Sequence, residues 1–158
     1  MLSAAALALI DRELAKYPPD RKDSAVMSAL AIAQDEKGHL TPDVMAFVAS
    51  YLGMPPIAVE EVASFYTMYD LAPAGKYKLC VCTNLPCALR GATEAVVHLQ
   101  RRLGIGFNET TPDGLFTLKE GECFGACGDA PVMLVNNKTM ASFMTPEALD
   151  RYLAELKK

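Results

Sequence analysis

Apolar residues recur at helical spacing through the first part of the chain and alternate with polar ones later, so two different textures follow each other. Leu7, Ile10, Leu14 and Tyr17 form one stripe over residues 3 to 17, and the stripe stops at Pro18-Pro19. A second helix is expected to start near Ser24 as its cap, to run through AVMSALAIAQDEK and to stop at Gly38. A third has Thr41 as its cap, Pro42 in its first turn and Gly53 at its end. A fourth follows Pro55-Pro56 and carries Val59, Val62, Phe65 and Tyr66. Residues 1–72 therefore predict an N-terminal helical bundle.

The pattern changes at LAPAG, residues 71–75. In KYKLCVC, Tyr77, Leu79 and Val81 fall on one face and Lys76, Lys78 and Cys80 on the other, the signature of a half-buried strand. CALRGATEAVVHLQRRLG then predicts one helix ending at Gly104, and a turn at Thr111-Pro112-Asp113-Gly114 leads into the strand LFTLKE. PVMLV and KTMAS predict a hairpin about Asn136-Asn137, and a last helix has Thr145 as cap and Pro146 at its first position. Strand, helix, strand, strand, strand, helix is the order of a thioredoxin-like α/β domain, expected over residues 73–158. The fold class expected for the whole chain is α+β.

Composition narrows the partners. The 158 residues are 51% hydrophobic and 22% charged, enough for an ordered chain with a real core. A net charge of −4 without a basic run lacks the footprint of a nucleic-acid binder. No apolar run approaches the ~18 residues of a spanning helix, so no direct membrane insertion is expected. The start, MLSAAALALIDRELAK, lacks a basic leading segment and reads as a helix of the mature chain in a reducing cytoplasm. There, cysteines serve metal or redox chemistry more often than structural bridges.

Five cysteines are present, and four stand in two short loops: Cys82 and Cys87 in VCTNLPCALRGA, Cys123 and Cys127 in GECFGACGDAPVM. Three chemistries compete. A disulfide oxidoreductase needs C-x-x-C at a helix start, and that motif does not occur. A structural zinc site of four thiolates is compatible with the spacing, although a chain with this much core needs no metal staple. An iron–sulfur cluster also takes four thiolates. It would use the wide C-x₄-C loop, the glycines at 121, 125 and 128, whose amides can approach sulfur, and a helix beginning near Pro86. The fifth, Cys80, reads as a small strand hydrophobe. His39 and His98 are not placed in cluster-facing loops. No G-x-G-x-x-G follows a strand, so hydride chemistry would belong to a partner.

ASFYTMY at 63–69, GKYKLCVCTNLPCALRGA at 75–92 and DGLFTLKEGECFGACGDAPVM at 113–133 closely resemble the thioredoxin-like [2Fe–2S] subunit family of NADH:quinone oxidoreductase. This is the E-type subunit family of respiratory complex I, with a mitochondrial equivalent in the second subunit of the flavoprotein fraction. The resemblance runs from about residue 20 to the end. It implies a [2Fe–2S] cluster held by Cys82, Cys87, Cys123 and Cys127. It also implies electron transfer from the reduced FMN of a partner, the F-type component, which carries both the FMN and the NADH site, in a cytoplasmic peripheral arm of a membrane-bound complex. The same cysteine pattern occurs in small diaphorase-type subunits of NAD-linked hydrogenases and formate dehydrogenases, the alternative within redox chemistry. A four-cysteine zinc assembly module is the alternative outside it. The resemblance also implies a cis peptide at Ala130–Pro131, beside the second cysteine loop.

Overall fold

The computed structural model describes residues 1–158, which divide into two compact units, Met1–Pro73 and Ala74–Lys158.

The first unit is built from four α-helices: α1 (Ala4–Leu14), α2 (Val26–Lys37), α3 (Pro42–Leu52) and α4 (Pro56–Phe65). The hydroxyl of Ser3 accepts from the Ala6 amide at 3.2 Å and caps α1, while it donates to the Glu36 carboxylate at 2.6 Å. Thr41 caps α3 as expected, accepting from the Val44 amide, and Gly53 takes the left-handed conformation that ends the helix. The second helix departs from expectation. Ser24 lies within a 3-10 turn, Lys22–Ala25, that leads into α2 without a side-chain cap.

Ile10, Leu30, Leu40, Val48 and Val59 are among the fully buried side chains of this unit's core. Each such side chain removed from water contributes about 1.5–3 kcal/mol. Of the aromatic run that begins at the end of α4, Tyr69 enters this core and donates its hydroxyl to the Met27 carbonyl at 2.8 Å, whereas Phe65 remains 79% exposed.

The second unit is a four-stranded sheet with helices. Its strands are β1 (Tyr77–Cys82), β2 (Phe116–Gly121), β3 (Met133–Val135) and β4 (Thr139–Ala141), in the spatial order β2-β1-β3-β4. β1 runs parallel to β2, with Tyr77 opposite Phe116 and Cys82 opposite Gly121, and antiparallel to β3. A parallel pair needs a crossover, and α5 (Leu85–Leu89) with α6 (Ala92–Leu103) supplies it. The helix α7 (Pro146–Leu156) closes the chain, capped by Thr145.

Two expectations are corrected here. β1 is not half-buried: it lies between two strands and is covered on both faces, so that even Lys78 is only 5% exposed. The single helix expected after Cys87 is two, because Gly91 adopts φ +96°, ends the first and lets the chain turn so that Ala92 is fully buried. The hairpin turn is as expected, with Asn136 and Asn137 both at positive φ, the primed geometry that suits a two-residue hairpin loop. Leu79, Leu99, Phe116, Leu118, Met133 and Leu149 form the heart of the core.

Candidate metal centre

Cys82 is the last residue of β1, where the strand's carboxyl end opens into a loop. Its amide donates to the Val132 carbonyl at 3.1 Å and its thiol donates to the Glu122 carbonyl at 3.0 Å. The next residue repeats the tie, the Thr83 amide donating to the Gly121 carbonyl at 3.0 Å and its hydroxyl to the Glu120 carboxylate at 2.9 Å. The first cysteine loop is thus zipped to the end of β2, from which the second loop departs.

Cys87 lies in the first turn of α5, behind Pro86, and like Cys82 is 2% exposed. Burial pushes the Cys87 thiol up, and a hydrogen bond with Cys82 and the like charge of Cys82 or Cys127 when ionised act the same way, while a bond from the Val132 backbone opposes them. An amide that donates to a sulfur stabilises its charged form, which is the form a metal requires. The helix end expected beside Cys87 is weaker than its sequence suggests. α5 has only five residues, so its dipole is that of a single turn.

The second loop carries Cys123 and Cys127, both exposed, with Cys127 opening a 3-10 turn that ends at Asp129. Gly125 sits at φ +70°, which a residue with a side chain adopts only under strain. Between the two cysteines, Phe124 and Ala126 turn inward and pack on a small apolar cluster of Cys82, Cys87, Ala92, Ala130 and Val132. The peptide Ala130–Pro131 is cis, as the resemblance implied.

A strap, Ser142–Met144, ties down the C-terminal end of this loop. The Phe143 amide donates to the Asp129 carbonyl at 2.8 Å, the Met144 amide to the Pro131 carbonyl at 2.9 Å, and the Ser142 hydroxyl to the Asp129 carboxylate at 3.1 Å. Sequence reasoning missed this strap and the Val132 backbone, because a backbone donor leaves no trace in residue type. Phe143, at φ +54°, is not a residue type that signals such a conformation.

The structure therefore brings Cys82 and Cys87 together in one buried pocket of small side chains and hangs the Cys123–Cys127 loop from the same pocket. Cys80, half-buried on β1, stands two residues before Cys82 on the same face of the strand. No three His, Cys, Asp or Glu side chains converge on a point where one ion would sit. A two-iron cluster divides its four thiolates between two metals. No disulfide joins any of the five cysteines, so the donor set fits such a cluster in kind: sulfur only, with glycines at 125 and 128 in the second loop and the Val132 backbone at one sulfur.

His98, by contrast, faces α7, its Nε2 3.1 Å from an Asp150 carboxylate oxygen. No helix of the chain is long and apolar enough to cross a membrane.

The chain is similar to known proteins over most of its length. The chain is 41% identical over 148 residues to NADH-quinone oxidoreductase subunit 2 of Thermus thermophilus, a match covering 94% of this chain and 82% of that protein. It is 44% identical to the E-type subunit of the NADH-quinone oxidoreductase of Rickettsia conorii, over 83% of this chain and 79% of that protein. Against an E-type subunit of the same enzyme from Rhizobium meliloti it is 48% identical, over 81% and 75% respectively. Among solved structures, an NAD+-reducing [NiFe]-hydrogenase in the H2-reduced state shares the fold with a TM-score of 0.69 at 20% identity. That likeness covers 81% of this chain and 22% of the hydrogenase chain. The family model described as thioredoxin-like [2Fe-2S] ferredoxin matches residues 10–157, nearly the whole length, and the chain belongs to that family.

Proposed function

We propose that the chain is the iron–sulfur electron-transfer subunit of an NADH:quinone oxidoreductase, holding a [2Fe–2S] cluster through Cys82, Cys87, Cys123 and Cys127. One observation carries the reading: the buried pair Cys82 and Cys87 and the inward residues of the second cysteine loop share one small apolar cluster. The relatives named above, at 41–48% identity, are subunits of that enzyme.

When bound, the cluster supplies a one-electron couple, which suits it to accept from the reduced FMN of a partner subunit. The four thiolates hold the irons. The Val132 backbone bonds to the Cys87 sulfur and stabilises its charge, and the apolar walls of Ala92, Ala130 and Val132 limit water at the buried pair. No proton transfer or nucleophilic attack is required of any side chain here.

The partner in this reading is the F-type subunit, which binds NADH and FMN, in the peripheral arm of the complex on the cytoplasmic side. We read residues 1–72 as a helical bundle domain and residues 73–158 as the ferredoxin domain.

The test is iron and acid-labile sulfide content of anaerobically purified protein, with electron paramagnetic resonance before and after dithionite. Two irons and two sulfides per chain, silent when oxidised and giving a spin-half signal when reduced, support the proposal. One zinc without sulfide, in protein that has not lost a cluster, overturns it in favour of a structural module. Co-purification with an FMN-containing subunit and quinone reductase subunits, rather than with a hydrogenase or formate dehydrogenase, tests the choice of complex.

A further inference from the structure

Between Glu122 and Asp129 every residue is exposed except Phe124 and Ala126. The Phe124 ring fills the space that Gly121 leaves open at the end of β2: a methyl group built on Gly121 would overlap the tip of that ring. The Cys80 sulfur borders the same notch, 3.0 Å from where that methyl would sit. The ring also packs on the apolar cluster that contains Cys82 and Cys87. One side chain therefore spans the floor of the second loop, the end of the sheet and the buried cysteine pair, and it follows Cys123 directly in sequence.

We infer that Phe124, seated in the Gly121 notch, is a positioning residue that holds Cys123 and Cys127 in register with Cys82 and Cys87. The inference rests on the ligand set proposed above. A loop whose other side chains are exposed has little else to bury, so its placement depends on the few contacts that exclude water. Ala126 adds only a methyl group. Gly121 serves the same end from the other side, since any side chain there would displace the ring. Cys80 gains a place in this account as a wall of the notch and not as a ligand.

The test uses the full chain, reconstituted with iron and sulfide, as the parent and as Phe124→Ala, Phe124→Leu and Gly121→Ala. The readouts are the rate of cluster loss to an iron chelator, the electron paramagnetic resonance signal of the reduced protein, and the melting temperature of the metal-free chain. Phe124→Ala is expected to lose its cluster about 10-fold faster than the parent, the scale on which supporting residues affect metal retention, and to show a broadened, shifted signal. Gly121→Ala is expected to behave alike. Phe124→Leu keeps an apolar anchor and is expected to restore the parent rate.

Cluster loss at the parent rate with an unchanged signal in Phe124→Ala overturns the inference. So does a loss that follows the melting temperature of the metal-free chain across the variants with no change in signal, because that marks general packing. If Phe124→Ala does not fold, the comparison of Gly121→Ala with Phe124→Leu decides on the same criteria. A parent that takes up no iron and sulfide overturns the ligand set itself, and is seen before any variant is compared.

Discussion

The Thr83 amide donates to the Gly121 carbonyl over 3.0 Å, and through that bond the loop after β1 is tied to the residue from which the second cysteine loop departs. The thiol of Cys82 makes the adjacent tie, to the Glu122 carbonyl. This second bond exists only while Cys82 carries its proton. A thiolate has no hydrogen to donate, so metal ligation by Cys82, as proposed above, would release the Glu122 carbonyl to another donor.

The first prediction concerns which thiols matter. Serine replacement at Cys82, Cys87, Cys123 or Cys127 is expected to lower bound iron and sulfide to a small fraction of the parent, whereas Cys80→Ser keeps both. Iron and sulfide analysis of the five variants checks this. Cluster loss in Cys80→Ser together with retention in Cys123→Ser would show that the ligand set is misassigned.

The glycines of the second loop should separate by backbone conformation. Gly125 has φ +70° and open space around its missing side chain, so Gly125→Ala costs only the left-handed penalty, about 1–2 kcal/mol. Gly128 has equally open space without the positive φ, and Gly128→Ala is expected to leave the stability of the metal-free chain unchanged or slightly raised. Urea unfolding of the metal-free chain measures both. An equal loss in the two variants would contradict the assignment of the cost to φ.

Helix caps offer one probe for each unit. The Thr41 hydroxyl accepts from the Val44 amide at 3.3 Å and the Thr145 hydroxyl from the Ala148 amide at 3.3 Å. Removing either by substitution to alanine should destabilise its own unit by about 1 kcal/mol. If the two units unfold as separate cooperative bodies, each variant shifts a different transition in denaturant. A shift of one common transition by both variants would mean that they unfold together.

Glu36 links acidity to the first unit. Bonds from the Ser3 hydroxyl, then Lys37 and the Ser3 backbone amide, lower its pKa from 4.5 to about 2. The folded value lies below the unfolded one, so the contribution is present above pH 4.5 and is lost as pH falls toward 2. Glu36→Gln is therefore expected to melt below the parent at neutral pH and to converge with it in strong acid. A constant offset from pH 7 down to about 2 would show that the carboxylate charge is not the cause.

Local chemistry made much of this protein legible. Thr41-Pro42 and Thr145-Pro146 announce helix starts, Gly53 and Gly104 announce stops, and Asn136-Asn137 announces a hairpin, because each signal acts on backbone within a few residues. The cysteine spacing likewise singled out the four thiols proposed above as ligands. Local signals were misleading twice: Ser24 lies in a 3-10 turn instead of capping α2, and the single glycine at 91 divides what its apolar neighbours present as one helix.

Contacts between distant residues decided the rest. That β1 lies inside the sheet follows from the pairing of β2 and β3 on its two edges, and the burial of Lys78 from coverage of its face, neither of which alternation along one strand can express. The Asn136 side chain accepts from the Lys78 amide at 2.7 Å and donates to the Lys76 carbonyl at 3.1 Å, a stitch across the sheet that no turn signal contains. The Val132 backbone at Cys87, the strap of Ser142–Met144 and the fit of Phe124 over Gly121 arise only after folding. The amino-acid sequence determined which atoms could bind metal and where helices begin, since those depend on residue type and its near neighbours. The tertiary structure decided which backbone donors and which missing side chain surround the sulfurs, since every residue but proline offers the same N–H and a notch exists only when two segments meet.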